Sequence, residues 1–346
     1  MKANLWFVSA ICIVQFATAQ EFKNAGEYLD YVGKIEKPIS KDMWKYTKTV
    51  AHSKSAKRID NVRKNLVKTI QTAKANLEKN SNGFNGDMEF RDDVIQYLAF
   101  SELMINEEYA KIVDLQEVAE QSYDFMEAYI TTRELVNDKI DAEREKLDES
   151  QKRFATKYKI NLIESAENSE IEKKMKISSE VFKYQSNMYL IFFKCNYTTI
   201  LLDNAIKTKD LAAIQQNANA LQQYSEEGLV KIDTFEPVKS DRSLANETKK
   251  SMETFQQIAT DYASKMIDFY TFNSKFEDIK TSLERKSAKD RTNEEIDNYN
   301  KMVKEINTKI NDFNKENENY VKTINSVTNN WNKASDAYIS KHVPTE

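Results

Sequence analysis

Glycine and proline, the residues that most readily end a helix, are nearly missing from this chain. No proline falls between Pro38 and Pro237, and no glycine between Gly86 and Gly228. Helix formers fill these stretches, and the alternating pattern of a half-buried strand does not occur. The expected fold class is all-α, a long-helix bundle with coiled-coil-like packing in two related helical halves. The breaks predict a short helix from Ala25 to Ile35 ended near Pro38, a segment from Lys41, and a helix from Ala56 to Lys79. A very long helical region from Met88 to Tyr158 follows, broken near Asp114. Further helices are expected over Glu170–Thr208, Asp210–Asp233, Ser243–Lys286 and Asn293–Lys341.

Residues 1–19 read differently. Lys2 precedes an apolar run from Leu5 to Phe16, and Ala17-Thr18-Ala19 supplies small residues before a cleavage point between Ala19 and Gln20. That is the layout of a signal peptide, and the run is too short for a mature membrane span. The expected organisation is residues 1–19 as signal peptide, 20–165 as a first helical half, and 166–346 as a second half ending in a long heptad helix. Cys195 alone survives cleavage, so no intramolecular disulfide forms, and its apolar neighbours point to core packing. The net charge of −4 comes from interspersed acids and bases, which gives no case for nucleic acid or an anionic membrane surface.

The last helix carries the clearest period. Ile296, Tyr299, Val303, Ile306, Ile310, Phe313, Asn317, Tyr320, Ile324, Val327 and Trp331 alternate in steps of three and four, continuing to Ala334 and Tyr338. Such a seam requires a partner helix, in this chain or in a second copy. Asn317 reads as a residue that sets register.

The two halves resemble each other. Ile59, Leu66 and Leu77 match Ile214, Leu221 and Ile232 at one offset. Phe84, Gly86, Asp87 and Phe90 match Val238, Ser240, Asp241 and Leu244. Met126, Tyr129, Val136 and Ile140 match Ile296, Tyr299, Ile306 and Ile310. The glycine loop around Gly86 therefore reads as a cap and hinge. Asp87 and Asp241 each stand just before an amphipathic run, where a carboxylate satisfies orphan N–H groups. The loop lacks the alternating oxygen ligands of a calcium loop and the Gly-Lys-Ser/Thr ending of a phosphate loop.

Catalytic and metal-ligating patterns are not found. His52 and His342 stand far apart in sequence and read as surface or cap residues. The acidic pairs Glu107-Glu108, Asp92-Asp93, Glu226-Glu227 and Glu294-Glu295 read as solvated helix faces. No catalytic residue, metal ligand or cofactor is assigned. Aromatic clusters, Tyr97 to Tyr129, Tyr184 to Tyr197 and Phe255 to Phe276, read as core or, alternatively, as a groove for an apolar ligand.

The stretches "AHSKSAKRIDNVRKNL", "FNGDMEFRDDVIQYL", "NEEYAKIVDLQEVAEQSYDFMEAYI", "NMYLIFFKC" and "LQQYSEEGL", with the ending "NNWNK…KHVP", resemble an uncharacterised family of exported "surface proteins" of Bacteroidetes and spirochaetes. The family's second half tends to carry Gly-Asp at the repeat loop, where this chain has Ser240-Asp241. The resemblance implies export from a Gram-negative cell, to the periplasm or cell surface, and supplies no substrate. The functional expectation is a non-enzymatic scaffold or protein-binding module, partnered by another protein or by itself; the alternative is a helical bundle holding a small or apolar ligand.

Overall fold

The computed structural model describes residues 22–53, 55–108, 118–163 and 166–345. The proposed cleavage pair Ala19 and Gln20 and the expected break at Asp114 lie outside them. Among the described residues the fold is all-α, helices packed on helices. The elements are α1 (Ala25–His52), α2 (Ala56–Lys79), α3 (Glu89–Leu103), α4 (Tyr123–Lys157), α5 (Ala166–Thr208), α6 (Leu211–Ile232), α7 (Ser243–Gln257), α8 (Ala263–Glu284) and α9 (Asn293–His342). No described helix is long and apolar enough to cross a membrane.

Side-chain caps mark most of the starts. Asn24, Ser55, Ser122, Asp210 and Thr292 each accept a hydrogen bond from an orphan N–H of the helix that follows. At α9 the arrangement is a full capping box, with Glu295 returning a bond to the Thr292 N–H.

Pro38 does not end a helix. α1 runs through it without interruption from Ala25 to His52. Pro38 is exposed, so water can hydrate the carbonyl one turn back that loses its donor, while residues on either side are held in packed cores. Tyr28 and Val32 enter one core, and Trp44 enters the other.

These two cores organise the molecule. The first joins α1 to α4 around Tyr28, Leu66, Leu77, Phe90 and Phe154. The second joins α5 to α9 around Met188, Leu221, Phe255, Trp331 and Tyr338. Gly228 of α6 sits where a Cβ would lie 2.8 Å from Met252 Sδ and 2.9 Å from Ile191 Cγ2. Its missing side chain lets α6 approach α5 and α7 this closely. Cys195 is buried in the same core, donates to Met252 Sδ at 3.6 Å, and has its thiol pushed up to about 12 by burial.

Among the described residues each half also contains one π-helical turn, Met104–Glu108 after α3 and Ile258–Tyr262 between α7 and α8. Beyond these turns the halves part. The first proceeds to α4, of 35 residues. The second continues into α8 and then the 50-residue α9. The second core reaches only to Tyr270 on α8 and Phe313 on α9. Past those residues the two helices run on as an antiparallel arm, about 20 Å long at 1.5 Å per residue. Within the arm, Phe276 stacks on Tyr299 and Lys286 pairs with Glu295.

Candidate functional site: the paired acidic turns and the seam

The loop between α2 and α3 brings Asp87 against the end of α4. Its Oδ2 accepts from Lys157 Nζ at 2.7 Å and from the Tyr158 hydroxyl at 2.8 Å, and Oδ1 accepts from Glu89 N–H at 3.3 Å. The turn before α7 repeats this. Asp241 Oδ2 accepts from Lys341 Nζ at 2.7 Å and from His342 Nε2–H at 2.8 Å, and Oδ1 accepts from Ser243 N–H at 2.9 Å. In both turns one carboxylate ties the start of one helix to two consecutive residues at the end of another.

The surroundings correspond as well. Tyr28 lies 5.5 Å from Phe154, and Tyr184 lies 5.4 Å from Tyr338, ring centre to ring centre. Asp87 N–H donates to Phe84 O and Asp241 N–H to Val238 O. Asn85 and Gly86 have φ of +52° and +87°, and Lys239 and Ser240 have +50° and +59°. Ser240 thus adopts the left-handed backbone that Gly86 adopts without a Cβ penalty. Ser240→Gly should raise stability by about 0.5–1 kcal/mol. A urea melt of the variant beside the parent chain checks this, and an unchanged or lower midpoint would count against strain at the turn.

The electrostatics of both turns follow from their donors. Burial works to raise the Asp241 carboxyl, but the bonds from Lys341, the Ser243 backbone and His342 outweigh it and hold the group well below the usual carboxylate range. At Asp87 burial is again opposed, by Lys157, Tyr158 and the Glu89 backbone, with the same net direction. An ammonium, a phenol and an imidazole crowd these oxygens. Among the described residues no three His, Cys, Asp or Glu side chains gather as a metal site.

His342 departs from its expected place. Rather than lying on the surface, it is 5% exposed and packs its ring on Tyr338 at 4.7 Å. His52 joins it from α1, its Nε2 lying 3.1 Å from Val343 O. Sequence spacing hid this meeting because the end of α1 and the end of α9 come together only through tertiary packing.

The seam of α9 is covered unevenly. Ile306, Tyr320, Val327 and Trp331 are buried, while Tyr299, Val303, Phe313, Asn317 and Ile324 are half-buried. Ile296 and Ile310 are exposed, at 37% and 39%. Ile296, Val303 and Ile310 form one heptad line, and Tyr299, Ile306 and Phe313 form the other. The second line is the better covered. Asn317 Oδ1 accepts from the Tyr262 hydroxyl at 2.9 Å, and the Tyr262 ring stacks on Tyr320 at 4.2 Å. The polar residue of the seam is therefore bonded across to the π turn.

Fold and site together define an all-α bundle with two matching carboxylate ties and a projecting helical arm. No protein-family model, curated protein or solved structure matches the chain.

Proposed function

We propose that this chain is an exported, non-enzymatic helical scaffold of the periplasm or cell surface of a Gram-negative bacterium, and that it self-associates through its α8/α9 arm. The two halves derive from one helical unit, and the arm is what the second has gained. The matched ties support that reading. They also suggest how α4 aligns with α9, with Phe154, Lys157 and Tyr158 corresponding to Tyr338, Lys341 and His342. Met126, Tyr129, Val136 and Ile140 then correspond to Ile310, Phe313, Tyr320 and Ile324, two heptads on from the pairing suggested by the stripe alone. A heptad stripe matches itself after any whole-heptad shift, so the tie is the better guide.

The observation that carries self-association is the incompletely covered heptad line of Ile296, Val303 and Ile310 on an arm that, among the described residues, is made of two helices. A two-helix hairpin is half of a four-helix bundle, and a second arm related by a two-fold axis completes it. The charges suit a second copy. Residues 271–312 hold nine lysine or arginine and nine aspartate or glutamate residues, so like arms meet without net repulsion.

Ile296→Glu with Ile310→Glu should abolish intermolecular cross-links that the parent chain forms, because two carboxylates would be buried in the joined face. Far-ultraviolet circular dichroism should be unchanged, as both side chains are exposed. Equal cross-linking by parent and variant would overturn the reading.

A further inference from the structure

The small net charge hides a separation that the fold makes visible. Residues 25–79, which form α1, α2 and the turn between them, hold thirteen lysine or arginine and six aspartate or glutamate residues, a net +7. Residues 80–346 hold 36 and 48 of these, a net −12. Averaged over the chain, charge predicts no anionic partner; in the folded chain one helical hairpin collects the cations.

Helical spacing gathers them on one side. On α1, Lys34, Lys37, Lys41 and Lys45 follow in steps of three and four, opposite Tyr28, Val32 and Tyr46 of the first core. On α2, Lys57, Lys64 and Lys68 take the face opposite Leu66, Ile70 and Leu77. The Thr69 hydroxyl donates to Asp42 Oδ2 at 2.7 Å and the Tyr31 hydroxyl to Asn76 O at 3.1 Å, which sets the two helices side by side and antiparallel. All seven lysines are exposed. The two rows extend about 20 Å and lie about 10 Å apart.

Few anions oppose them. The side chains of Lys34, Lys45, Lys57, Lys68 and the neighbouring Arg58 form no ion pair among the described residues. Asp42 is engaged by Thr69 between the helices, and Asp60 pairs with Arg63 and Lys64. Glu27, Asp30 and Glu78 stand together at one end of the hairpin. Among the described side chains Val50 is the one large apolar group exposed on either helix, so this face offers charge and little to insert.

We infer that the outer face of the α1–α2 hairpin docks on an anionic lipid surface and holds the scaffold against a membrane. Two helices in one layer present their cations in a plane, as a leaflet presents its headgroups. Fluid headgroups move to meet each compact ammonium, whereas phosphates fixed along a nucleic-acid strand favour the arginine forks that are scarce here. The contact uses no residue of the arm, so it goes beyond self-association and does not depend on it.

The test is co-sedimentation of the chain from Gln20 onward with vesicles of phosphatidylcholine alone and of phosphatidylcholine with phosphatidylglycerol in equal parts. Binding to the anionic vesicles alone is expected. Raising the salt from about 0.1 to 1 M, which shortens screening from about 10 to 3 Å, should release the chain. Replacing Lys45, Lys57 and Lys68 together by glutamine should weaken binding about 100-fold, near fivefold for each charge, with the thermal midpoint unmoved. The same replacement at the exposed Lys231, Lys250 and Lys333 should leave it within about twofold. No sedimentation with anionic vesicles at low salt would overturn the inference. So would equal weakening by the two triple variants, or binding to duplex DNA without binding to vesicles. The Ile296→Glu, Ile310→Glu variant should still sediment, which separates failure here from failure of the arm.

Discussion

Asp241→Ala should destabilise the chain by about 2–4 kcal/mol. Three bonds end on this side chain, and their partners fare differently without it. Ser243 N–H at the start of α7 loses its acceptor, a cap effect of about 1 kcal/mol. Lys341 is well exposed and returns to water at little cost. His342 has no such escape. Its side chain is 4% exposed, so an imidazole N–H is left buried without a partner. Asp87→Ala should cost less, because its ties are the exposed Lys157 and a phenol at the rim. Urea unfolding of the two variants side by side gives both the size and the order.

The same ties predict how stability varies with pH. Both carboxyls are held below their ordinary value in the folded chain. Each therefore contributes stability that is complete above the unfolded carboxyl value, about 3.9, and is lost as the pH falls toward the folded one. Asp241→Ala should flatten the acid limb of the stability curve relative to the parent chain. An acid limb of unchanged slope would contradict the tie.

Trp331→Ala should cost about 3–5 kcal/mol, through the cavity it leaves. The indole is 1% exposed, stacks on Phe192 at 4.7 Å with planes 15° apart, and gives Nε1–H to Thr248 Oγ1 at 3.0 Å. Thr248 is not orphaned by the change, since its own hydroxyl still donates to Leu244 O. The loss is therefore one of packing at the centre of the second core, and Trp331→Phe should restore about half of it. Thermal melts of the two variants decide this; a difference under about 1 kcal/mol would show that α9 is not seated as described.

The helical character was legible in the scarcity of glycine and proline, and helix starts at Ala56, Ser243 and Asn293 could be placed because Ser, Asp or Thr precedes each amphipathic run. Pro38 misled, since a helix tolerates proline where the freed carbonyl faces water and flanking residues are anchored. The acidic turns could be located by the match between halves, but not their partners. Nothing in the spacing of Lys157-Tyr158 or Lys341-His342 marks them as donors to loops 70 and 100 residues earlier. The arm was hidden inside a seam that looks uniform: Ile296 and Ile306 share the same pattern, and only tertiary packing makes one exposed and the other buried.

Light scattering on the chain from Gln20 onward, from about 1 to 100 μM, tests the central claim most directly. A mass that rises toward twice that of the single chain, and falls back to it in the Ile296→Glu, Ile310→Glu variant, is the predicted result. A single-chain mass at every concentration would contradict it.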